Sequence, residues 1–337
     1  MLQIIISIDY EIFGQGAGNV SDHMINPVKK LSRIAGRYNV PFSLMFEAVE
    51  FMKFEEFARD IRKDLEFSPH ELIKEQIIEC ARKGHDIQLH IHPQWIDALY
   101  KRKKWEIPNP SRVVEDMDEK SIYKMISSAK QKIENIITPI NPNYICNTAR
   151  FTGYNWSEAH KKTHKILKQL GIKAHSLADY CPIENKIGYW ELVKGLELFE
   201  IPIYSIVMPK YKMFTWRKLF SAAYMQSMVR TNRITKKIKD EVISKKYSIL
   251  EGLFKDVYTQ KWDLCKQSSG EMLKFLELAF KRFDYKKESI PLVMIGHSKD
   301  FLFPSDFDKF LETVTRRYIP TGDVKFTTFQ DFVKWHL

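Results

Sequence analysis

The chain has 337 residues, of which 44% are hydrophobic and 28% charged. That balance excludes a disordered or collagen-like chain. No run approaches the roughly 18 unbroken apolar residues of a membrane-spanning helix. Lys and Arg outnumber Asp and Glu by 53 to 42, a net +11, which favours acidic partners such as a phosphorylated substrate, a nucleic acid or an anionic lipid surface.

Short β-rich runs alternate with helical patterns, as in a parallel α/β sheet or barrel. A first strand is expected over Gln3–Asp9. A helix follows near Asn26–Tyr38, with Asn26 as its cap and Pro27 at the first helical position. Pro41–Phe46 reads as a second strand. Ser68-Pro69-His70-Glu71 has the form of a capping box and opens a helix to about Lys83, stopped by Gly84. Strands are expected at Asp86–His92, Tyr144–Thr148, Ile172–His175, Leu198–Tyr204, Pro291–His297 and Val324–Thr328. Helices are expected near Ser121–Ile136, Trp156–Leu170, after a Ser305 cap, and at the C-terminus. Pro209 to about Tyr285 reads as mostly helical.

The N-terminal apolar run is short, β-branched and ends in Asp9, unlike a secretory signal. Four scattered cysteines, Cys80, Cys146, Cys181 and Cys265, form no C-x-x-C pair and fit reduced thiols. Both features point to a cytoplasmic protein.

Ionisable residues recur at expected strand ends, which is where (β/α) barrels build their chemistry. Asp9 and Glu11 lie two apart, so an extended backbone turns both carboxylates to one side. His90 and His92 repeat that spacing with imidazoles, which suit Zn²⁺, Ni²⁺ or Co²⁺. A metal held by two imidazoles and a carboxylate keeps positions open for water and substrate, and the second carboxylate can take a proton. Arg150 could hold that base ionised. His297 ends an apolar strand and could protonate a leaving amine, whereas His85 reads as structural. Each residue also has a bland reading as a capping acid, a core histidine or a salt bridge. Their recurrence at four strand ends favours a site.

The ordered set Ser7-Ile8-Asp9-Tyr10-Glu11, Gly84-His85-Asp86 through His90-Ile91-His92-Pro93, Arg150-Phe151-Thr152-Gly153-Tyr154, Leu198–Pro202 and Ile295-Gly296-His297 resembles the motifs of the polysaccharide deacetylase family, the NodB-homology carbohydrate esterases. The resemblance spans about residues 3–300. It implies a single catalytic domain, a distorted (β/α)7 barrel with a mostly helical basic insertion at about 209–290. It also implies metal-dependent removal of an N-acyl group, acetyl or formyl, from an amino sugar. By position, Asp9 would be the base, Glu11, His90 and His92 the metal ligands, Arg150 the tether of the base and His297 the acid. The backbone N–H of Tyr154 would help bind the oxyanion. Zinc is the first expectation for the metal, with nickel, cobalt or iron as alternatives. The chain departs from the pattern in two ways. The family's metal histidines stand four apart, and Gln94 occupies that position here; the second carboxylate is Glu11 where many members have Asp.

The segment 209–239 carries nine Lys or Arg and no acid, with Met213, Trp216, Phe220 and Tyr224 at helical spacing. It could lie on an anionic membrane or bind the diphosphate of a nucleotide- or lipid-linked sugar. Its bland reading is a solvated face. Lys101-Arg102-Lys103-Lys104 forms a second basic cluster. No nucleic-acid recognition motif is present. Trp95 and Asp179 are candidate substrate contacts. The expected role is deacylation of a sugar during assembly of a surface polysaccharide or lipopolysaccharide precursor, in the cytoplasm or at the inner membrane face. The rivals are an amidohydrolase- or PHP-type metal hydrolase, and a non-catalytic glycan- or lipid-binding barrel.

Overall fold

The structure is a computed structural model and describes residues 1–13, 16–151, 161–176, 189–191, 195–209 and 257–337. The strands are β1 (Leu2–Tyr10), β2 (Ser43–Glu47), β3 (Asp86–Ile91), β4 (Leu99–Lys101), β5 (Lys104–Glu106), β6 (Thr148–Phe151), β7 (Ala174–His175), β8 (Trp190–Glu191), β9 (Phe199–Glu200), β10 (Ser205–Pro209), β11 (Val257–Lys261), β12 (Ile290–His297) and β13 (Val324–Thr327). The main sheet runs β12-β1-β2-β3-β6-β7-β9-β8, and β13 adds to β1. All pairings are parallel except β8 with β9.

The sheet curls into a half-barrel, as a distorted (β/α)7 barrel requires, and its seventh stave is an extended segment rather than a regular strand. Phe199 and Glu200 pair with β7, and Ile203 then bridges Val293 of β12. The expected strand Leu198–Tyr204 is therefore one segment that bonds first to one edge and then to the other.

Side-chain alternation divides the core in two. Ile4, Ile6, Ile8 and Tyr10 of β1 pack outward against the surrounding helices. Ile5 faces inward with Met45, Ala174, Ile201, Ile203, Val293 and Ile295. The C-terminal helix Phe329–His336 closes one end of this interior. Phe329, Phe332 and Val333 join the inner cluster, and the Phe329 N–H donates to Ser43 Oγ at the start of β2. Chemistry is left to the opposite end, where the strands finish.

Several local expectations are corrected. The helix Asn26–Arg37 is continuous with a π-helical turn, Ser21–Ile25, so the Asn26 side chain caps nothing. Ser68 makes no side-chain cap bond at the helix Pro69–Arg82, whereas Ser268 and Glu271 form a full capping box at Ser269–Arg282. Ser305 lies inside the helix Pro304–Arg317, which Phe303 precedes as the cap residue. The strand near residue 146 falls later, at Thr148–Phe151. Helices Ala48–Glu56 and Ala58–Leu65 were not expected. Within the segment read as mostly helical, β10 and β11 form an antiparallel ladder. The basic stretch 210–239 lies outside the described residues.

Gly296, just before His297, is closely packed on β12. A Cβ there would lie 2.9 Å from Leu264 Cγ and 3.1 Å from Ile8 Cδ1. Gly296→Ala is expected to destabilise the fold by about 1–3 kcal/mol through overpacking, read as a lower urea midpoint with unchanged slope.

Candidate metal and acid–base centre

The interior residues at the strand ends converge. Asp9 pairs in register with His297, Glu47 with His90, and His90 with Arg150. Alternation then puts Ser7, Asp9 and Glu11 on the same side of β1, facing His90 and His92 from β3.

Arg150 organises one half of the site. It is 1% exposed. Its Nη1 donates to Asp9 Oδ1 at 2.5 Å, its Nη2 to the hydroxyls of Ser7 and Ser176 at 3.0 Å each, and its Nε to the Ser176 carbonyl at 3.4 Å. Every arm of the guanidinium is thus engaged, which an always-charged buried group requires. Asp9 Oδ2 is left facing His297 Nε2 at 3.5 Å and His90 Nε2 at 3.9 Å. Burial alone would raise the Asp9 pKa, but Arg150, aided by the imidazoles, outweighs it and holds the carboxylate below its usual range. Burial lowers His297, so its imidazole is mainly neutral at pH 7.

The other half gathers Glu11, Glu47, His90 and His92, whose donor atoms all lie within 4.8 Å of one another. Glu11 Oε2 is 3.0 Å from His92 Nδ1 and 3.5 Å from His90 Nε2. Glu47 Oε2 is 2.7 Å from His92 Nδ1, while Oε1 accepts from the Val49 and Glu50 N–H groups and caps the helix Ala48–Glu56. His90 Nδ1 donates to the Arg150 carbonyl at 2.9 Å, which leaves Nε2 facing the cluster as the nitrogen that must release its proton to a cation. That Nε2 is buried and has no hydrogen-bond partner. An orphaned imidazole nitrogen among carboxylates is what a divalent-cation site needs, and two imidazoles with two carboxylates suit zinc or a neighbouring transition metal. The residues fit a metal.

The acids set the site's electrostatics. Burial raises Glu11, but His92 and Lys299 pull it well below the usual carboxylate range. Burial, with Glu47 and Glu11 nearby, lifts Glu50 well above it, and its Oε1 accepts from the Ile12 N–H. Burial would depress His90, yet Asp9 and then Glu11 outweigh it and raise the imidazole to about 9.

The six strand-end residues Asp9, Glu11, His90, His92, Arg150 and His297 are therefore brought together. Tyr154 and Asp179 lie outside the described residues. Trp95 is corrected: it is 1% exposed and packs edge-on against Trp105, so it offers no face to a sugar. His175 pairs with Ala149, one residue off Arg150, and so points to the other face of the sheet. There it stacks on Phe151 and meets Glu200 Oε2 at 3.0 Å. His85 is structural, bonded to Ser32 Oγ at 3.1 Å and stacked on Phe42. Glu47, Glu50 and Lys299 were not foreseen. The signals available were that Glu47 directly follows an expected strand and that Lys299 lies two residues beyond His297.

Replacing Arg150 by Met leaves Asp9 buried and unpaired, at an expected cost of about 3–5 kcal/mol at pH 7. Asp9 is depressed in the folded wild type, so its contribution is present above its unfolded pKa and is lost as pH falls through the folded value. The gap between variant and wild type should therefore narrow below about pH 4 in denaturation series. Because His90 holds a proton up to about 9, divalent-cation affinity should fall as pH drops below that value. Calorimetry in buffers of different ionisation enthalpy should register the released proton.

No known family's sequence profile matches the chain, and no curated protein matches it by sequence. Solved structures do match. A protein assigned as a polysaccharide deacetylase from Pseudomonas aeruginosa PAO1 superposes with a TM-score of 0.51 at 11% identity, covering 99% of this chain and 91% of the other. One assigned likewise from Mycobacterium smegmatis gives 0.50 at 13% identity, covering 99% and 89%. Puue allantoinase gives 0.50 at 10% identity, covering 99% and 90%. The chain has the fold these proteins share.

Proposed function

We propose that this protein is a metal-dependent hydrolase that removes an N-acyl group from an amino sugar. The observation that carries the reading is one barrel end holding two things at once. One is a cation-ready set of two imidazoles and two carboxylates; the other is an Asp–Arg pair with a second imidazole beside its free oxygen. The likeness in fold to polysaccharide deacetylases supports it.

In this reading His90, Glu11, His92 and Glu47 hold the metal, zinc foremost. When bound, the metal supplies Lewis-acid polarisation of the amide carbonyl and activation of water. Arg150 keeps Asp9 ionised and turned so that Oδ2 can take a proton from the attacking water. Asp9 is a weak base because its pKa is depressed, so it keeps that proton only briefly. Neutral His297, 3.5 Å away, can receive it and deliver it to the leaving nitrogen. The C–N bond breaks, water supplies the carboxylate oxygen, and the amine leaves protonated. We place the reaction in cytoplasmic assembly of a surface polysaccharide or lipopolysaccharide precursor, on a sugar linked to a nucleotide or lipid. The basic stretch 209–239 would suit contact with the diphosphate or with an anionic membrane surface. Among the described residues no helix is long and apolar enough to cross a membrane.

The likeness to Puue allantoinase favours a second reading, a hydrolase of a small cyclic amide. An amine-release assay on N-acetylated and N-formylated amino sugars, run beside allantoin, separates the two. On the accepted substrate Asp9→Asn should retain metal by elemental analysis and lose about 10²-fold or more in kcat, the usual range for a lost acid–base group. A wild-type rate for Asp9→Asn would remove it as the base.

A further inference from the structure

Lys299 is a cation at this barrel end that the acid–base reading leaves unused. It sits in the short 3-10 turn Ser298–Asp300, directly after the strand that ends in His297. Its side chain is 14% exposed, with Nζ 2.6 Å from Glu11 Oε1 and 3.2 Å from the Ile12 carbonyl, above the Phe13 ring. Glu11 is thereby divided. Oε1 belongs to Lys299, and Oε2 faces the two imidazoles.

We propose that Lys299 is a positioning residue for the metal ligand Glu11. It fixes the carboxylate so that a single oxygen, Oε2, enters the donor cluster. This rests on the metal reading above. A glutamate reaches the site on one more rotatable bond than an aspartate and must be held if it is to offer one oxygen in one direction. Lys299 holds it by a charge-assisted hydrogen bond from a backbone turn that the Ser298 Oγ contact to the Glu11 carbonyl also ties to β1. With Oε1 engaged by Lys299, Glu11 is held from offering both oxygens to one ion.

Two roles for Lys299 predict opposite signs. As a mere counter-charge it would repel a cation, and its loss would tighten binding. As a positioning residue it pre-organises a ligand, and its loss would weaken binding by roughly tenfold or more, as for other groups that orient metal ligands. The full-length chain would be titrated with Zn²⁺ in competition with a chromophoric chelator, and with Co²⁺ by visible absorption. Lys299→Met should lose about tenfold in Zn²⁺ affinity. Its Co²⁺ band should weaken as Glu11 becomes bidentate and coordination number rises, and Lys299→Arg should restore both. Equal or tighter Zn²⁺ binding by Lys299→Met with an unchanged Co²⁺ spectrum would overturn the proposal. Should Lys299→Met fail to give a cooperative thermal transition, Lys299→Gln, which keeps a donor without the charge, decides the matter: Zn²⁺ binding no tighter than wild type supports positioning, and clearly tighter binding, as removal of a repelling charge gives, would overturn it. A wild type that binds no divalent cation would instead refute the metal reading itself.

Discussion

Four carboxyl groups, those of Asp9, Glu11, Glu47 and Glu50, end up in one buried space at the mouth of the barrel. Burying that many acids is unfavourable unless each is paired, bonded or neutralised. The chain meets each acid differently: Arg150 on Asp9, Lys299 on Glu11, a helix N-terminus and His92 on Glu47, and the Ile12 N–H on Glu50, whose pKa burial lifts. The arrangement still leaves His90 Nε2 without a partner. The site is thus balanced on every side but one, and that side faces the space a divalent cation would fill.

Much of this was legible in the sequence because it depends on alternation. A strand that ends in Asp-x-Glu or His-x-His sends both side chains the same way whatever surrounds it. The parallel barrel, the convergence of β1, β3, β6 and β12, and the Arg150–Asp9 contact follow from that geometry. What alternation does not encode is where an ending strand hands over to a turn. Glu47 looked like the first residue of a loop and is the last residue of β2 and a helix cap. Lys299 stood beyond the expected strand, and only the 3-10 turn after His297 folds it back to Glu11. Trp95 misled for the opposite reason. Its proximity in sequence to the histidines suggested the site, whereas the 3-10 turn Pro93–Trp95 directs it into an aromatic cluster.

Local capping signals were the least reliable guide. Ser68-x-x-Glu71 has the right letters, but its serine hydroxyl makes no cap bond, and Asn26 is overridden by a helix that has already begun as a π turn. In both cases tertiary packing fixes the helix start and the side chain is left over. At Ser268–Glu271, within the tract expected to be helical, the same pattern is fully formed.

The seam of the barrel has a mechanical meaning. Ile203 and Asp263 each touch β12 through a single bridge, and the β10–β11 ladder grows outward from that contact. The chain on either side of residues 210–256 is therefore tied to the strand that carries His297. A displacement of that ladder would load β12 first, and through it the position of His297.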